Sequence, residues 1–62
     1  MNITININVD NDSFNDPSEI NWLMYNVGTN LREWGIDREG EFAVRDSCGN
    51  TVGKVVLTKP TP

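Results

Sequence analysis

Sixty-two residues make one small domain that buries only about 60% of its unfolded surface and is stable by roughly 3–5 kcal/mol, too little to wall a deep catalytic cleft as well as a core. The net charge is −4, and residues 1–31 carry Asp10, Asp12, Asp16 and Glu19 with no lysine or arginine; such an acidic end repels phosphate backbones, which argues against direct nucleic-acid binding and favours a basic protein partner. Cys48 is the only cysteine, so an internal disulfide is excluded; the absence of a basic-then-apolar leader at Met1-Asn2-Ile3-Thr4 and of any bilayer-length apolar run makes a cytoplasmic location, with no membrane association, the expectation.

Ile3, Ile5, Ile7 and Val9 alternate with Asn2, Thr4, Asn6 and Asn8, the period-two pattern of a strand with one apolar and one polar face. Asparagine is a poor strand former, so this first strand is placed at a sheet edge. Asp10 to Asn15 is a loop of turn residues in which Phe14 folds back as an apolar plug between strand and helix.

Asp16, Pro17 and Glu19 mark a helix start as N-cap, first helical residue and N3 partner of a capping box, which gives both carboxylates a structural role. The helix runs to Trp34 and ends at Gly35 in a left-handed cap, with Ile36 as the following apolar contact. At 100° per residue, Ile20, Leu23, Met24, Val27, Leu31 and Trp34 share one stripe that faces the core. Gly28 interrupts the helix and implies close approach of the sheet, a ligand surface or simple tolerance.

After the polar loop Asp37–Gly40, the alternation resumes over 41–45, and the β-branched run 51–58 follows the turn residues 46–50. A hairpin of the last two strands is the expectation. Gly53 marks a bulge, or a place where a helix side chain such as Trp34 lies against the backbone. Residues 1–58 form the single domain and 59–62 a flexible tail.

The predicted fold is α+β in the order β-α-β-β, one helix on a three-stranded mixed sheet with the third strand central because Val55-Val56-Leu57 is the most continuous apolar run. The face away from the helix shows Thr4, Asn6, Ala43, Arg45, Lys54 and Val56.

Histidine is absent, which removes the commonest general base, the commonest zinc ligand and the histidine-dependent triads. Cys48 has no histidine to activate it. Asp10, Asp12 and Asp16 invite a calcium loop, but Phe14 stands where an oxygen ligand is needed, Asn15 where the turn needs glycine and Asn21 where glutamate closes the site, so the spacing fails. No catalytic residue, metal site or cofactor is expected, and the chain is not expected to be an enzyme.

Trp22 and Tyr25 fall off the core stripe, beside Asn26 and Thr29. Exposed aromatics among polar neighbours resemble interface anchors. The structural alternative is a helix rolled so that Trp22 covers a core edge, or a Tyr25 laid over a loop.

Three stretches, Ile3 to Phe14, the helix to Trp34-Gly35, and Arg45 to Gly53, resemble a group of short uncharacterised phage and prophage proteins. Their shared pattern is a D-N-x-x-F loop, an amphipathic helix and an R-D-x-x-G-N-x-V-G hairpin. The resemblance implies a setting, a viral accessory protein in the host cytoplasm, and carries over no activity or site residue. The expectation is therefore a non-enzymatic protein that binds and modulates a host protein with a basic surface. Trp22, Tyr25, Asn26 and Thr29 would form the contact, and Asp10 and Asp12 would steer the partner. The alternative is a structural module that forms a homodimer or larger homo-oligomer through the open sheet face or an edge strand.

Overall fold

Apolar alternation, a capped helix start and a tight Gly-Asn turn give five elements in chain order: β1 (Asn2–Ile7), a 3-10 turn (Asp12–Asn15), α1 (Ser18–Trp34), β2 (Gly40–Arg45) and β3 (Thr51–Thr58). The computed structural model describes residues 1–60. The expected tail begins at Lys59, whose N–H donates to Glu39 Oε1 at 3.1 Å; residues 61–62 of that tail lie outside the described residues.

The sheet order is β1-β3-β2, with the third strand in the centre as its apolar run predicts. Both pairings are antiparallel, Ile3 opposite Leu57 and Ile5 opposite Val55 on one side, Phe42 opposite Val55 on the other. The expectation of a mixed sheet is therefore corrected. β1 and β2 run in the same direction, but β3 separates them, so no parallel ladder forms.

Between Val44 and Arg45 the register shifts, Val44 facing Gly53 and Arg45 facing Thr51. The skipped residue, Val52, is buried with the core, which is what a bulge does to the side chain it displaces. Gly53 is required by its neighbour strand: a Cβ there would stand 1.8 Å from Asn6 O. Trp34 does not lie on it. The indole covers Gly40 instead, where a Cβ would stand 2.2 Å from Trp34 Cζ2 and where φ is +150°.

At the helix start, Pro17 already has helical angles and Asp16 is extended (φ −96°, ψ 118°). Asp16 Oδ1 accepts from Ser18 N–H at 3.0 Å and Ser18 Oγ–H at 2.9 Å, so it caps the helix as expected. Glu19 does not complete the capping box. Its carboxylate is buried and accepts from Ser47 Oγ in the β2–β3 turn. At the other end Gly35 ends the helix, its N–H donating to Leu31 O at 3.0 Å; its φ is positive as expected but its ψ of 126° is extended, so the left-handed helical cap does not form, and Ile36 stays exposed and makes no apolar cap.

Leu23, Val27, Val44, Val52, Val55 and Leu57 form the buried core, with Ile7, Phe14, Leu31, Trp34 and Phe42 packed against it. Phe14 thus plugs the gap as predicted. The inward stripe of α1 differs from expectation: Ile20 and Met24 are exposed and Glu19 is buried, a roll of about 40° at 100° per residue. The cause lies at both helix ends. Glu19 is tied to Ser47, and Trp34 seats on Gly40, its ring 5.9 Å from that of Phe42 and capped by the Arg38 guanidinium at 4.2 Å. Both anchors belong to the β2–β3 hairpin side, so the helix is drawn toward β2 and away from β1. Ile3 and Ile5 of β1, on the helix side of the sheet, consequently remain 42% and 38% exposed.

Candidate partner-binding face

The roll of α1 decides what its outer surface offers. Trp22 is 44% exposed and Tyr25 76% exposed. Trp22 stands on a ridge between two shallow hollows, one bordered by Ser13, Asp16, Ser18 and Cys48, the other by Asn30, Ala43 and Arg45. Leu23 and Val27 border the second hollow as well, so the partly covered Trp22 stands next to the core residues of α1. Tyr25 projects freely.

The neighbouring polar residues are committed to the helix itself. Asn26 Nδ2 donates to Trp22 O at 2.8 Å and Thr29 Oγ1 donates to Tyr25 O at 3.1 Å. Such back-bonding to the i−4 carbonyl uses the Thr29 hydroxyl proton and one of the two Asn26 amide protons locally. They frame the aromatic ridge with their remaining hydrogen-bonding capacity.

The two acidic candidates part company. Asp12 is exposed on the 3-10 turn, next to Ser13 of the Trp22 hollow. Asp10 borders a different hollow with Asn8, Asn11, Thr51 and Val52, and its N–H is held by Asn8 Oδ1 at 2.8 Å. Asp16, already the helix cap, brings a fixed negative charge to the Trp22 hollow. Its carboxyl is held below the usual range by the Ser18 backbone and side-chain hydrogen bonds. Arg45 lies across the ridge, so Trp22 sits between charges of opposite sign.

Sequence reasoning treated Asp46 as an ordinary turn residue, yet it is 2% exposed and organises this end of the molecule. Its Oδ1 accepts from Cys48 N–H (3.0 Å) and Asn50 N–H (2.8 Å). Oδ2 accepts from Asn11 Nδ2 (2.8 Å), Ser13 Oγ (3.0 Å) and Asn50 Nδ2 (3.2 Å). Burial alone pushes the Asp46 carboxyl up. The hydrogen bonds from Asn50 N–H and from the Asn11, Asn50 and Ser13 side chains outweigh it and bring the pKa down to about 2. Asn11 also caps the 3-10 turn by accepting from Ser13 N–H at 2.8 Å.

The D-N-x-x-F loop and the R-D-x-x-G-N turn are thus two halves of one clasp. Asn11 and Ser13 meet Asp46, Phe14 enters the core, and Gly49 (φ +86°) and Asn50 shape the turn. The clasp joins the 3-10 turn to the β2–β3 turn, and its Ser13 borders the Trp22 hollow. The only sequence signal for the clasp is that Asn and Ser recur opposite an Asp 33–35 residues later, a separation that no local pattern reveals.

Among the described residues no three histidine, cysteine, aspartate or glutamate side chains gather as a metal site. Cys48 is an exposed free thiol whose side-chain contact is Ser13 Oγ at 3.7 Å, and no helix among the described residues is long and apolar enough to cross a membrane. What the ridge provides is contact area: two aromatic rings, a polar frame and charges on either side, the composition of a small recognition surface. No known protein family, no curated protein and no solved structure matches the chain.

Proposed function

We propose that this protein is a small non-enzymatic accessory protein of a phage, working in the host cytoplasm, that binds a host protein through the Trp22–Tyr25 ridge of α1. The observation that carries the reading is the exposure of Tyr25, 76%, on a helix whose opposite side buries Leu23 and Val27. A ring left so open contributes nothing evident to folding, whereas rigid aromatic area on a surface is what binding hot spots use. Asp12 and Asp16 extend the ridge toward a basic neighbour and raise the encounter rate with it. The phage setting rests on the motif resemblance described above.

A capture experiment tests this. Tagged wild type, Tyr25→Ala, Trp22→Ala and a surface control, Lys54→Ala, are passed over lysate of host cells. The proposal requires a host protein retained by wild type and by the control and lost with Tyr25→Ala. Equal retention by Tyr25→Ala removes the ridge as the binding face. Trp22→Ala is judged only after its unfolding midpoint is compared with wild type, because Trp22 is partly covered and borders the same hollow as the core residues Leu23 and Val27.

A further inference from the structure

The two edges of the sheet are not alike. β2 carries Glu41 and Arg45 and adjoins the register shift between Val44 and Arg45, devices that keep an edge from pairing with another chain. β1, Asn-Ile-Thr-Ile-Asn-Ile, has no charge, no proline and no bulge. In an antiparallel ladder a residue turns its N–H and C=O to the same side. Asn8 N–H meets Val52 O at 2.7 Å, so the even positions of β1 serve β3, and Ile3, Ile5 and Ile7 turn their backbone groups to the open edge.

The side chains beside this edge are apolar as well. Ile3 and Ile5 are 42% and 38% exposed on the helix side of the sheet, and Ile20 and Met24 of α1 are 39% and 43% exposed. Because Trp22, Asn26 and Asn30 form the flank of α1 that borders β2, Ile20 and Met24 lie on the flank toward β1. The result is an unguarded strand edge roofed by an apolar helix flank.

We infer that β1 is the dimerisation edge of this protein, and that its occupant is β1 of a second copy. The strand is self-complementary about Ile5. Antiparallel pairing on a two-fold axis places Ile5 opposite Ile5, Ile3 opposite Ile7 and Thr4 opposite Asn6 of the second copy, with about six new backbone hydrogen bonds in a continuous six-stranded sheet. Charge favours this approach over others. Each copy carries −4, and residues 1–9 hold no charged side chain, so two acidic molecules meet there without opposing carboxylates. A stable dimer takes about 800 Å² from each partner, roughly a sixth of the protein's 4474 Å² surface, more than one short strand edge supplies. The Ile20–Met24 flanks must therefore close over the paired strands. The Trp22–Tyr25 ridge, on the β2 side, stays free in each copy, and the dimer presents it twice.

Sedimentation velocity of the purified full chain, from about 1 to 200 μM, tests the inference without any host partner. Wild type is expected to shift from monomer to dimer across this range. Ile5→Pro removes a backbone donor that faces the open edge and none that serves β3, so it abolishes the dimer while the far-ultraviolet CD spectrum stays native. The register is read by two exposed-face variants. T4E/N6E sets glutamates opposite each other across the axis and raises Kd at least about tenfold, whereas T4K/N6E sets lysine opposite glutamate and keeps the dimer. Ala43→Glu, on the outer face near β2, keeps it too. A wild type that is monomeric throughout overturns the inference. So does a dimer that survives Ile5→Pro in native form, or one that is lost with Ala43→Glu but kept in T4E/N6E.

Discussion

Replacing Gly53 by alanine tests how closely β1 and β3 approach at the end of their ladder. A Cβ on residue 53 stands 1.8 Å from Asn6 O and 3.0 Å from Ile7 Cα, and both are backbone atoms that no rotamer change can remove. Restoring an ordinary contact of about 3.4 Å moves β1 away from β3 by about 1.5 Å, past the limit at which a hydrogen bond survives. The ladder contacts at risk are Asn6 opposite Lys54 and the Asn8–Val52 bond of 2.7 Å. Overpacking costs about 1–3 kcal/mol and each lost backbone bond about 0.5–1.5 kcal/mol more, so Gly53→Ala is expected to lose about 3 kcal/mol, most of what a domain of this size has. The same change at Gly28 meets nothing within 4 Å and is expected to stabilise α1 by up to about 1 kcal/mol. Urea unfolding followed by CD reads both; in thermal melts each kcal/mol moves the midpoint by about 4–8 °C. A Gly53→Ala midpoint within about 0.5 kcal/mol of wild type would refute the seating of β1 on β3.

Leu23, 0% exposed, should lose about 2–5 kcal/mol on truncation to alanine, whereas Met24→Ala should cost under about 1 kcal/mol; equal losses in chemical denaturation would contradict the roll of the helix. Gly40→Ala should unseat Trp34, seen as a red shift of its fluorescence toward that of exposed indole, since the new methyl would occupy the ring's place. Asp46 has a folded pKa lowered from 3.8 to about 2, so its contribution is complete above the unfolded value and is lost as pH falls from about 4 toward 2. Asp46→Asn should flatten the stability–pH curve in that window while destabilising the protein at neutral pH, and an unchanged acid limb would argue against the clasp. Tyr25→Ala should leave the unfolding midpoint within about 0.5 kcal/mol of wild type.

What the sequence makes legible follows the range of the forces involved. The alternation of β1, the Asp16–Pro17 helix start, the 46–50 turn and the central place of β3 are written in neighbouring residues, and each is found. The roll of α1 was not legible, because it is set by Glu19 meeting Ser47 and Trp34 meeting Gly40, contacts between residues whose proximity depends on the finished fold. Apolar periodicity alone put Ile20 and Met24 inward. Asp46 was missed for a related reason: an aspartate in a Gly-Asn turn is usually solvated, and only the return of Asn11 and Ser13 to its carboxylate makes it buried. The exposure of Trp22 and Tyr25 follows from their angle on the helix, while the separation of Asp10 from Asp12 arises from the 3-10 turn between them and the helix, which turn-residue composition did not distinguish from open loop.

Recognition through the outer helix face is tested most directly by site-specific photo-crosslinking in host cells. A photoreactive amino acid is placed in turn at Tyr25, at Ile5 and at Val56 of the outer sheet face. The structure-based expectation is an adduct with a host protein from position 25, an adduct with a second copy from position 5, and neither from position 56. A host-protein adduct from position 56 with none from position 25 would contradict the account.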